Sequence, residues 1–181
     1  MLPNDIEKYQ VWDKSNGQKL LPDLSLLLNE FSETDDKLAR NYKNIDFDKF
    51  ENYTIIAHNN DIVSFSSILY RDLWPKNTVR IFNRLWRNKK FDWVNPTFGI
   101  ISQLNYTHQV NYARDNGFDF VFISREKTPK HLTRWLKQAN EFDGGWIYCE
   151  DKKRVCNGSP ENCVQWVIYK KVSNTNETFP L

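Results

Sequence analysis

The sequence is short of glycine and contains no long apolar run. No stretch approaches the roughly 18 consecutive apolar residues that a membrane-spanning helix needs. The opening residues, MLPNDIEKYQ, include no apolar core of the kind found in secretion signals. Together these absences predict a cytoplasmic protein that has no membrane partner.

An excess of charge of one sign is also lacking, because 25 basic and 23 acidic residues leave a net charge of +2. Nucleic-acid-binding domains generally carry a marked basic excess. The segment RLWRNKKFDW, residues 84–93, does combine aromatic rings with cationic side chains, as single-strand-binding surfaces do. The near-neutral total nevertheless argues against nucleic acid as the partner.

Patterns for metal binding are missing as well. The three cysteines, Cys149, Cys156 and Cys163, include no C-x-x-C pair, and the three histidines include no H-x-x-x-H pair. We therefore expect no metal site, and we expect free thiols in a reducing compartment. The turn-rich segment NGSPEN between Cys156 and Cys163 leaves one disulfide open as the alternative.

What the chain does contain is enough apolar residues for a folded core. Its 181 residues, 40% of them hydrophobic, predict one domain over residues 1–172. The polar ending SNTNETFPL, residues 173–181, predicts a flexible tail. Aromatic residues make up 15% of the chain, so we expect some of them to line a groove or contact a partner. Homodimerisation stays open.

The first half of the chain shows one helix pattern and then strand patterns. The segment LPDLSLLLNEF has helical spacing, and a second, short helix is expected at about residues 35–42. Two β-rich segments flank His58 to Asp61, a sequence typical of a hairpin turn. The segment TVRIFNRLWR, residues 78–87, alternates like one continuous strand, with Val79 and Leu85 on one face and Trp86 on the other.

The second half alternates helix and strand. A long helix is expected from Thr97 to Asn116, with Gly117 as the glycine that follows its end. The apolar run FDFVFIS is typical of a strand that is buried on both faces. A helix that starts at Pro129 and a final strand pair complete the order β-α-α-β-β-β-α-β-α-β-β. Because a helix links Thr78–Arg87 to Phe118–Arg125, we expect these strands to be parallel neighbours in a mixed α/β sheet.

This order, and the segment ARDNGFDFVFISRE in particular, resembles the GNAT acyltransferases, the family that includes many N-acetyltransferases. The pattern also resembles GNAT-like proteins of marine tailed bacteriophages. The family resemblance implies a GNAT fold in which two parallel strands, here Thr78–Arg87 and Phe118–Arg125, part to form a cleft. It further implies acetyl-CoA as cosubstrate and a small-molecule or peptide amine as acceptor.

By that resemblance, acyl-CoA is expected to pair with the backbone of Arg84, Leu85, Trp86 and Arg87. Its pyrophosphate is expected at Phe98, Gly99 and Ile100, where a helix begins. The family's loop usually reads R/Q-x-x-G-x-G/A, whereas the segment RNKKFDWVNPTF, residues 87–98, contains no glycine. Arg87, Lys89 and Lys90 are then the cations that could contact phosphate.

No catalytic residue follows from the sequence. Family members often use Glu or water as the base and Tyr as the acid. Tyr106 and Tyr112 lie on the predicted long helix, while the histidines His58, His108 and His131 fit a turn, a core-facing helix position and a helix start. Two functions therefore remain: acyl transfer to an amine, or a GNAT-like domain without catalysis that serves as a binding or structural module.

Overall fold

A computed structural model describes residues 2, 5–36, 38–71, 77–91, 99–126, 129–151 and 165–179. At residues 124–126, 129–132, 148–151, 165 and 166 only the backbone is considered. The prediction of reduced thiols concerns Cys156 and Cys163, which lie outside the described residues, and the side chain of Cys149.

Eight strands and three α-helices make up the described part of the chain. The strands are β1 (Gln10–Asp13), β2 (Asn52–His58), β3 (Asp61–Ile68), β4 (Thr78–Arg80), β5 (Leu85–Arg87), β6 (Phe120–Glu126), β7 (Trp146–Asp151) and β8 (Gln165–Lys171). The helices are α1 (Leu21–Ser32), α2 (Ile100–Asp115) and α3 (Pro129–Phe142). The second predicted helix is instead a short 3₁₀ turn, Ala39–Tyr42.

The strands form two four-stranded sheets, with orders β1-β2-β3-β5 and β4-β6-β8-β7. β4 and β6 pair in parallel, with Val79 opposite Val121, which confirms the predicted parallel neighbours and the mixed α/β class. The two sheets meet where Leu69 and Arg80 exchange backbone hydrogen bonds of 2.9 Å in both directions. The helix that joins the parallel strands is α2, as expected.

The predicted single strand over residues 78–87 is wrong, because it is broken at residues 81–84. At this strand break Phe82 adopts a left-handed conformation with φ of 51°. Ile81 and Phe82 therefore both point into the core beside Val79, and the predicted alternation of faces fails here. β4 before the break belongs to one sheet and β5 after it to the other.

Two local predictions are confirmed in detail. Asn59 and Asn60 both have positive φ and form the tight turn between β2 and β3, as a two-residue hairpin turn requires. Gly117, with φ of 80°, follows the C-terminus of α2. The N–H of Phe118 donates to the Ala113 carbonyl and that of Gly117 to the Arg114 carbonyl, which is the Schellman arrangement.

The helices cover the sheets on opposite faces. α1 packs its buried Leu24 and Leu28 on a cluster that contains Phe65 and Trp86. α2 and α3 contribute Tyr106, Val110 and Ala139, among others, to the cluster on the second sheet. Trp135 and Leu136 of α3 pack against this cluster beside Ala139.

The polar tail is anchored at Ser173, whose hydroxyl donates to the Asp119 carboxylate, and at Phe179. Phe179 is buried, and its ring stacks on that of Tyr169 with centroids 4.3 Å apart and an angle of 9° between the planes. Phe120 and Phe122 contact the same ring. The end of the chain thereby covers the face of the second sheet that lies away from α2 and α3.

Among the described residues, no helix is both long and apolar enough to cross a membrane.

Candidate active site

The parallel strands part in the middle of the molecule. The last link between them is the N–H of Ile81, which donates to the Phe122 carbonyl over 2.9 Å. Beyond it, β5 pairs with β3, Trp86 opposite Phe65, while β6 continues along β8 to Glu126. Among the described strands, none fills the space between β5 and the second half of β6. We refer to this opening as the splay.

The splay depends on the left-handed residue Phe82. A non-glycine residue held in this region costs on the order of 1–3 kcal/mol, so the surroundings must impose the conformation. The Phe82 N–H donates to Oε1 of Gln109 on α2 over 2.9 Å, in place of a strand partner. A side chain of α2 therefore supports the point, directly after β4, at which the chain turns away from β6.

Three further buried polar side chains surround Gln109. They are Ser64 and Ser66 on β3 and Asn105 on α2, and like Gln109 each is fully buried. Ser64 donates to the Trp86 carbonyl over 3.0 Å, so the same group reaches β5 on the far side of the strand break. We call these four residues the polar network.

The N-terminus of α2 lies beside the end of β5. Gly99 is the N-cap residue and, having no side chain, leaves the first N–H groups of the helix without a side-chain cap. Nη2 of Arg87, the last residue of β5, donates to Oγ of Ser102 in the first turn over 3.0 Å. Burial lowers the pKa of Arg87, yet an arginine stays a cation in proteins. A cation and a helix N-terminus together favour an anion here.

Apart from Arg84, the predicted site residues fall into three groups. Arg87, Gly99 and Ile100 come together at this helix N-terminus. The side chain of Trp86 is buried in the cluster beneath α1, and the side chain of Leu85 packs on the cluster of the second sheet, so only their backbones run along the splay. Phe98 lies outside the described residues, as does Thr97, where the long helix is expected to begin.

Arg84 and Lys89 have protein partners. Arg84 Nε donates to the Asn41 carbonyl over 3.2 Å, which ties the end of the strand break to the 3₁₀ turn. Lys89 Nζ lies 3.6 Å from the Asp36 carboxylate and 5.1 Å from the centre of the Phe31 ring. The Lys89 ion pair is exposed and therefore weak. These contacts direct Lys89 towards the end of α1.

Sequence reasoning missed Tyr42. Its hydroxyl donates to the Leu85 carbonyl over 2.8 Å, and its ring packs edge-on against Phe31. Tyr42 also borders a pocket of about 220 Å³ between α1 and the turns that follow it. The lining residues are Ser25, Leu28, Asn29, Tyr42, Asn44, Ile45 and Phe47, none of which is charged.

The tyrosines of α2 make structural contacts. The Tyr106 hydroxyl donates to the Asp143 carboxylate over 2.5 Å and lies 3.0 Å from Nζ of Lys170. The Tyr112 hydroxyl is within 3.3 Å of the Glu51 carboxylate. Burial raises the pKa of Tyr106 and, with the negative charge of Glu51, raises that of Tyr112 to about 12. Neither hydroxyl is thereby prepared to supply a proton at neutral pH.

The histidines give no catalytic arrangement among the described residues. The ring of His58 packs against Tyr9 beside the hairpin turn. Nε2 of His108 lies 3.5 Å from the Asp13 carboxylate without hydrogen-bond geometry, and burial lowers the His108 pKa although Asp13 opposes the shift. The side chain of His131 is not among those described. No three potential metal ligands cluster within the described residues.

The polar network left a weak signal in the sequence. Asn105 and Gln109 stand four residues apart, in line with Ile101, on the face of α2 that an apolar stripe would normally occupy. Ser64 and Ser66 alternate within the apolar β3. Polar residues on the core-facing sides of α2 and β3 indicate a buried hydrogen-bond network, but they do not indicate which backbone groups the network reaches.

This combination of a parallel strand pair that parts and a helix N-terminus beside the opening defines the fold of the GNAT acetyltransferases. A putative GNAT-family acetyltransferase from Desulfovibrio desulfuricans matches with a TM-score of 0.59 over 91% of this chain and 99% of its own, at 8% identity. The ribosomal-protein alanine N-acetyltransferase of Escherichia coli matches with a TM-score of 0.57 over 95% and 100%, at 7% identity.

A putative acetyltransferase from Salmonella typhimurium, solved with its cofactor acetyl-CoA, matches with a TM-score of 0.60 over 94% of this chain and 97% of its own, at 10% identity. No family model and no curated protein matches the sequence. These neighbours are bacterial and lend no support to the resemblance to phage proteins. At such identities the likeness establishes the GNAT fold alone.

Proposed function

We propose that the chain is an acyl-CoA-dependent N-acyltransferase that transfers acetyl from acetyl-CoA to an amine. The observation that carries the proposal is the splay, which opens beside the uncapped N-terminus of α2 and the cation of Arg87. An extended ligand with amide groups and a pyrophosphate fits this arrangement, because backbone groups line one end and an anion site lies at the other.

The residues present would hold acetyl-CoA by its two ends. Arg87 and the first N–H groups of α2, at Ile100 and Ile101, would contact the pyrophosphate. The backbone along β5 would contact the amide-containing arm. GNAT proteins usually hold this pyrophosphate in a nest of backbone N–H groups that is rich in glycine. Because no glycine lies between residues 87 and 99 here, the charge of Arg87 would take the place of that nest.

The chemistry needs no covalent enzyme intermediate. The nitrogen of the amine attacks the thioester carbonyl, a C–N bond forms and the C–S bond breaks. The amine loses a proton, and the CoA thiolate leaves and gains one. The contribution of the protein is to hold the two reactants together and to exclude water.

The acceptor is expected on the α1 side of the splay. The pocket beside Tyr42 lies there, and the Tyr42 hydroxyl contacts the β5 backbone directly. Its lining offers amide and hydroxyl groups from Asn29, Asn44 and Ser25 but no charge. A neutral polar group next to the reactive amine suits this lining better than a carboxylate or a second cation.

The experiment is to incubate the protein with acetyl-CoA and separate amine classes, such as peptide N-termini, lysine side chains and small neutral amines. Mass spectrometry detects the acetylated product and the released CoA. We expect product with one of these classes and none in the absence of protein. The absence of both acetyl-CoA binding and product from any class would instead favour a GNAT-like domain without catalysis that serves as a binding or structural module.

That second candidate is favoured by one observation, the absence of glycine between residues 87 and 99. A fold that no longer binds acyl-CoA could keep its splay as a plain structural feature. In that case neither heat nor a thermal shift should accompany addition of acetyl-CoA.

A further inference from the structure

The polar network contacts the segment 78–87 at two points, one in the strand break and one in β5. Gln109 Oε1 accepts from the Phe82 N–H over 2.9 Å, within the strand break and directly after the last bond to β6. Ser64 donates to the Trp86 carbonyl over 3.0 Å, in β5, which pairs with β3. The side chains between these two contacts are fully buried, so water does not compete with them.

The hydrogen bonds run in one direction through the network. Gln109 Nε2 donates to Ser66 Oγ over 2.6 Å, and Ser66 donates to Oδ1 of Asn105. Asn105 Nδ2 donates to the Ile101 carbonyl over 2.9 Å and, at 3.4 Å, to Ser64 Oγ. Each amide therefore has one allowed orientation. A flipped Gln109 would set its NH₂ group against the N–H of Phe82.

Gln109 and Asn105 belong to the helix whose N-terminus meets Arg87. Any movement of α2 along its axis would therefore pull on the backbone of Phe82, while the network holds Trp86 at the other end. Arg87, directly after Trp86, provides a second connection to α2 through its bond to Ser102. The strand break, β5 and the N-terminus of α2 are thus linked through side chains.

We infer that Gln109 is a positioning residue. Through the polar network it imposes the left-handed conformation of Phe82 and fixes β5 relative to the N-terminus of α2. The part of this inference that concerns a ligand rests on the proposed function, since the ligand would span β5 and that helix end. Gln109 itself is buried beneath the splay and touches no reactant.

A purely structural role is the competing explanation, and it makes different predictions. If the network only contributes stability, its loss lowers the melting temperature without a special effect at the strand break. If it positions the break, the amides of residues 82–87 lose protection beyond what the overall loss of stability explains.

The test compares Gln109→Met with the unchanged protein by amide hydrogen exchange and acetyl-CoA titration. Methionine keeps the length of the side chain and removes the acceptor for the Phe82 N–H. We expect exchange at residues 82–87 to rise about 10-fold more than in β2 and β3, and acetyl-CoA affinity to fall about 10-fold, the scale of one lost buried hydrogen bond. Gln109→Glu, with its buried carboxyl group protonated, retains an acceptor for the Phe82 N–H and a donor for Ser66, and should restore protection at Phe82.

Ser64→Ala keeps the experiment decisive if Gln109→Met fails to fold, because it removes the bond to Trp86 and the long contact from Asn105 but leaves the bond between Gln109 and Phe82 in place. It should deprotect residues 85–87 and spare Phe82. Tyr112→Phe is the matched control on the same helix, since its hydroxyl contacts Glu51 and not the strand break. Tyr112→Phe should leave exchange at residues 82–87 unchanged.

A lower melting temperature with unchanged relative exchange at residues 82–87 and unchanged acetyl-CoA affinity overturns the inference. If the unchanged protein binds no acetyl-CoA, the proposed function fails, and exchange alone decides the role of Gln109. Selective deprotection then supports positioning, and uniform deprotection rejects it.

Discussion

The Tyr42 hydroxyl donates a hydrogen bond to the Leu85 carbonyl over 2.8 Å. This bond and that from Arg84 to the Asn41 carbonyl fasten the 3₁₀ turn to β5. Tyr42 thereby stands between the neutral pocket and the splay. Tyr42 is thus one of two residues of the 3₁₀ turn, with Asn41, that connect the α1 side of the molecule to the chain around the start of β5.

The substitution Tyr42→Phe removes this bond and keeps the ring that packs on Phe31. We expect it to lower the free energy of unfolding by about 1 kcal/mol, the usual value of one hydrogen bond. We also expect the KM for the acceptor to rise more than that for acetyl-CoA. Urea unfolding and steady-state kinetics measure the two effects.

Tyr53→Phe is the control for this prediction. The Tyr53 hydroxyl is buried and has no hydrogen-bond partner among the described residues, so its removal should be neutral or stabilising. Equal losses of stability in the two variants would show that the Tyr42–Leu85 bond contributes nothing particular.

Arg87 and Lys89 are close in sequence but differ in position. Arg87→Met should weaken acetyl-CoA binding by about 10-fold or more and reduce its dependence on salt, because charge-assisted bonds to phosphate are strong. Lys89→Met should change affinity by less than about 2-fold, since Lys89 is directed towards Asp36. Calorimetric titrations at two salt concentrations compare them. A larger effect at Lys89 would place the pyrophosphate elsewhere.

Gly99 tests the helix N-terminus without disturbing the backbone. Its φ of −79° is open to every residue type, so Gly99→Val should fold, while its branched side chain should obstruct the approach of a phosphate. Gly99→Ser should raise stability by a few tenths of a kcal/mol, because serine caps helices slightly better than glycine. Both variants should bind acetyl-CoA more weakly. Unchanged binding in both would remove this helix end from the site.

Asp143 gives a prediction for stability at acid pH. Burial opposes its ionisation, but hydrogen bonds from Lys170, at 2.7 Å, and from Tyr106 outweigh it and lower the Asp143 pKa below its ordinary value. A carboxylate with a lowered pKa stabilises the fold above its unfolded pKa, and that stability is lost as pH falls through the folded value.

Asp143→Asn should therefore reduce stability at pH 7 and make the decline below about pH 4 less steep. Urea unfolding at several pH values provides the measurement, with Asp115→Asn, an exposed residue at the end of α2, as its control. An acid decline of the same slope in the unchanged protein and in Asp143→Asn would contradict the assignment.

The sequence allowed the element order and several local features to be predicted because their signals are local. A few neighbouring residues are enough to predict that Gly117 follows the end of a helix. The same holds for the paired asparagines that form the hairpin turn. The parallel pairing of β4 and β6 followed from the helix between them. These predictions needed only periodicity and turn chemistry.

The strand break could not be predicted from local pattern. TVRIFNRLWR alternates throughout, and nothing within it indicates that Phe82 turns left-handed. The cause lies in Gln109, 27 residues further along the chain, which accepts the Phe82 N–H only after α2 has packed on the sheet. Tyr42 was missed for the same reason, because its partner Leu85 is 43 residues away.

The central claim is that the splay, Arg87 and the N-terminus of α2 form a site for acetyl-CoA. Isothermal titration of the full chain with acetyl-CoA tests it most directly. We predict saturable binding of one acetyl-CoA per chain, weakened by Arg87→Met and hardly affected by Lys89→Met. The absence of both heat and a thermal shift at millimolar acetyl-CoA would contradict the claim.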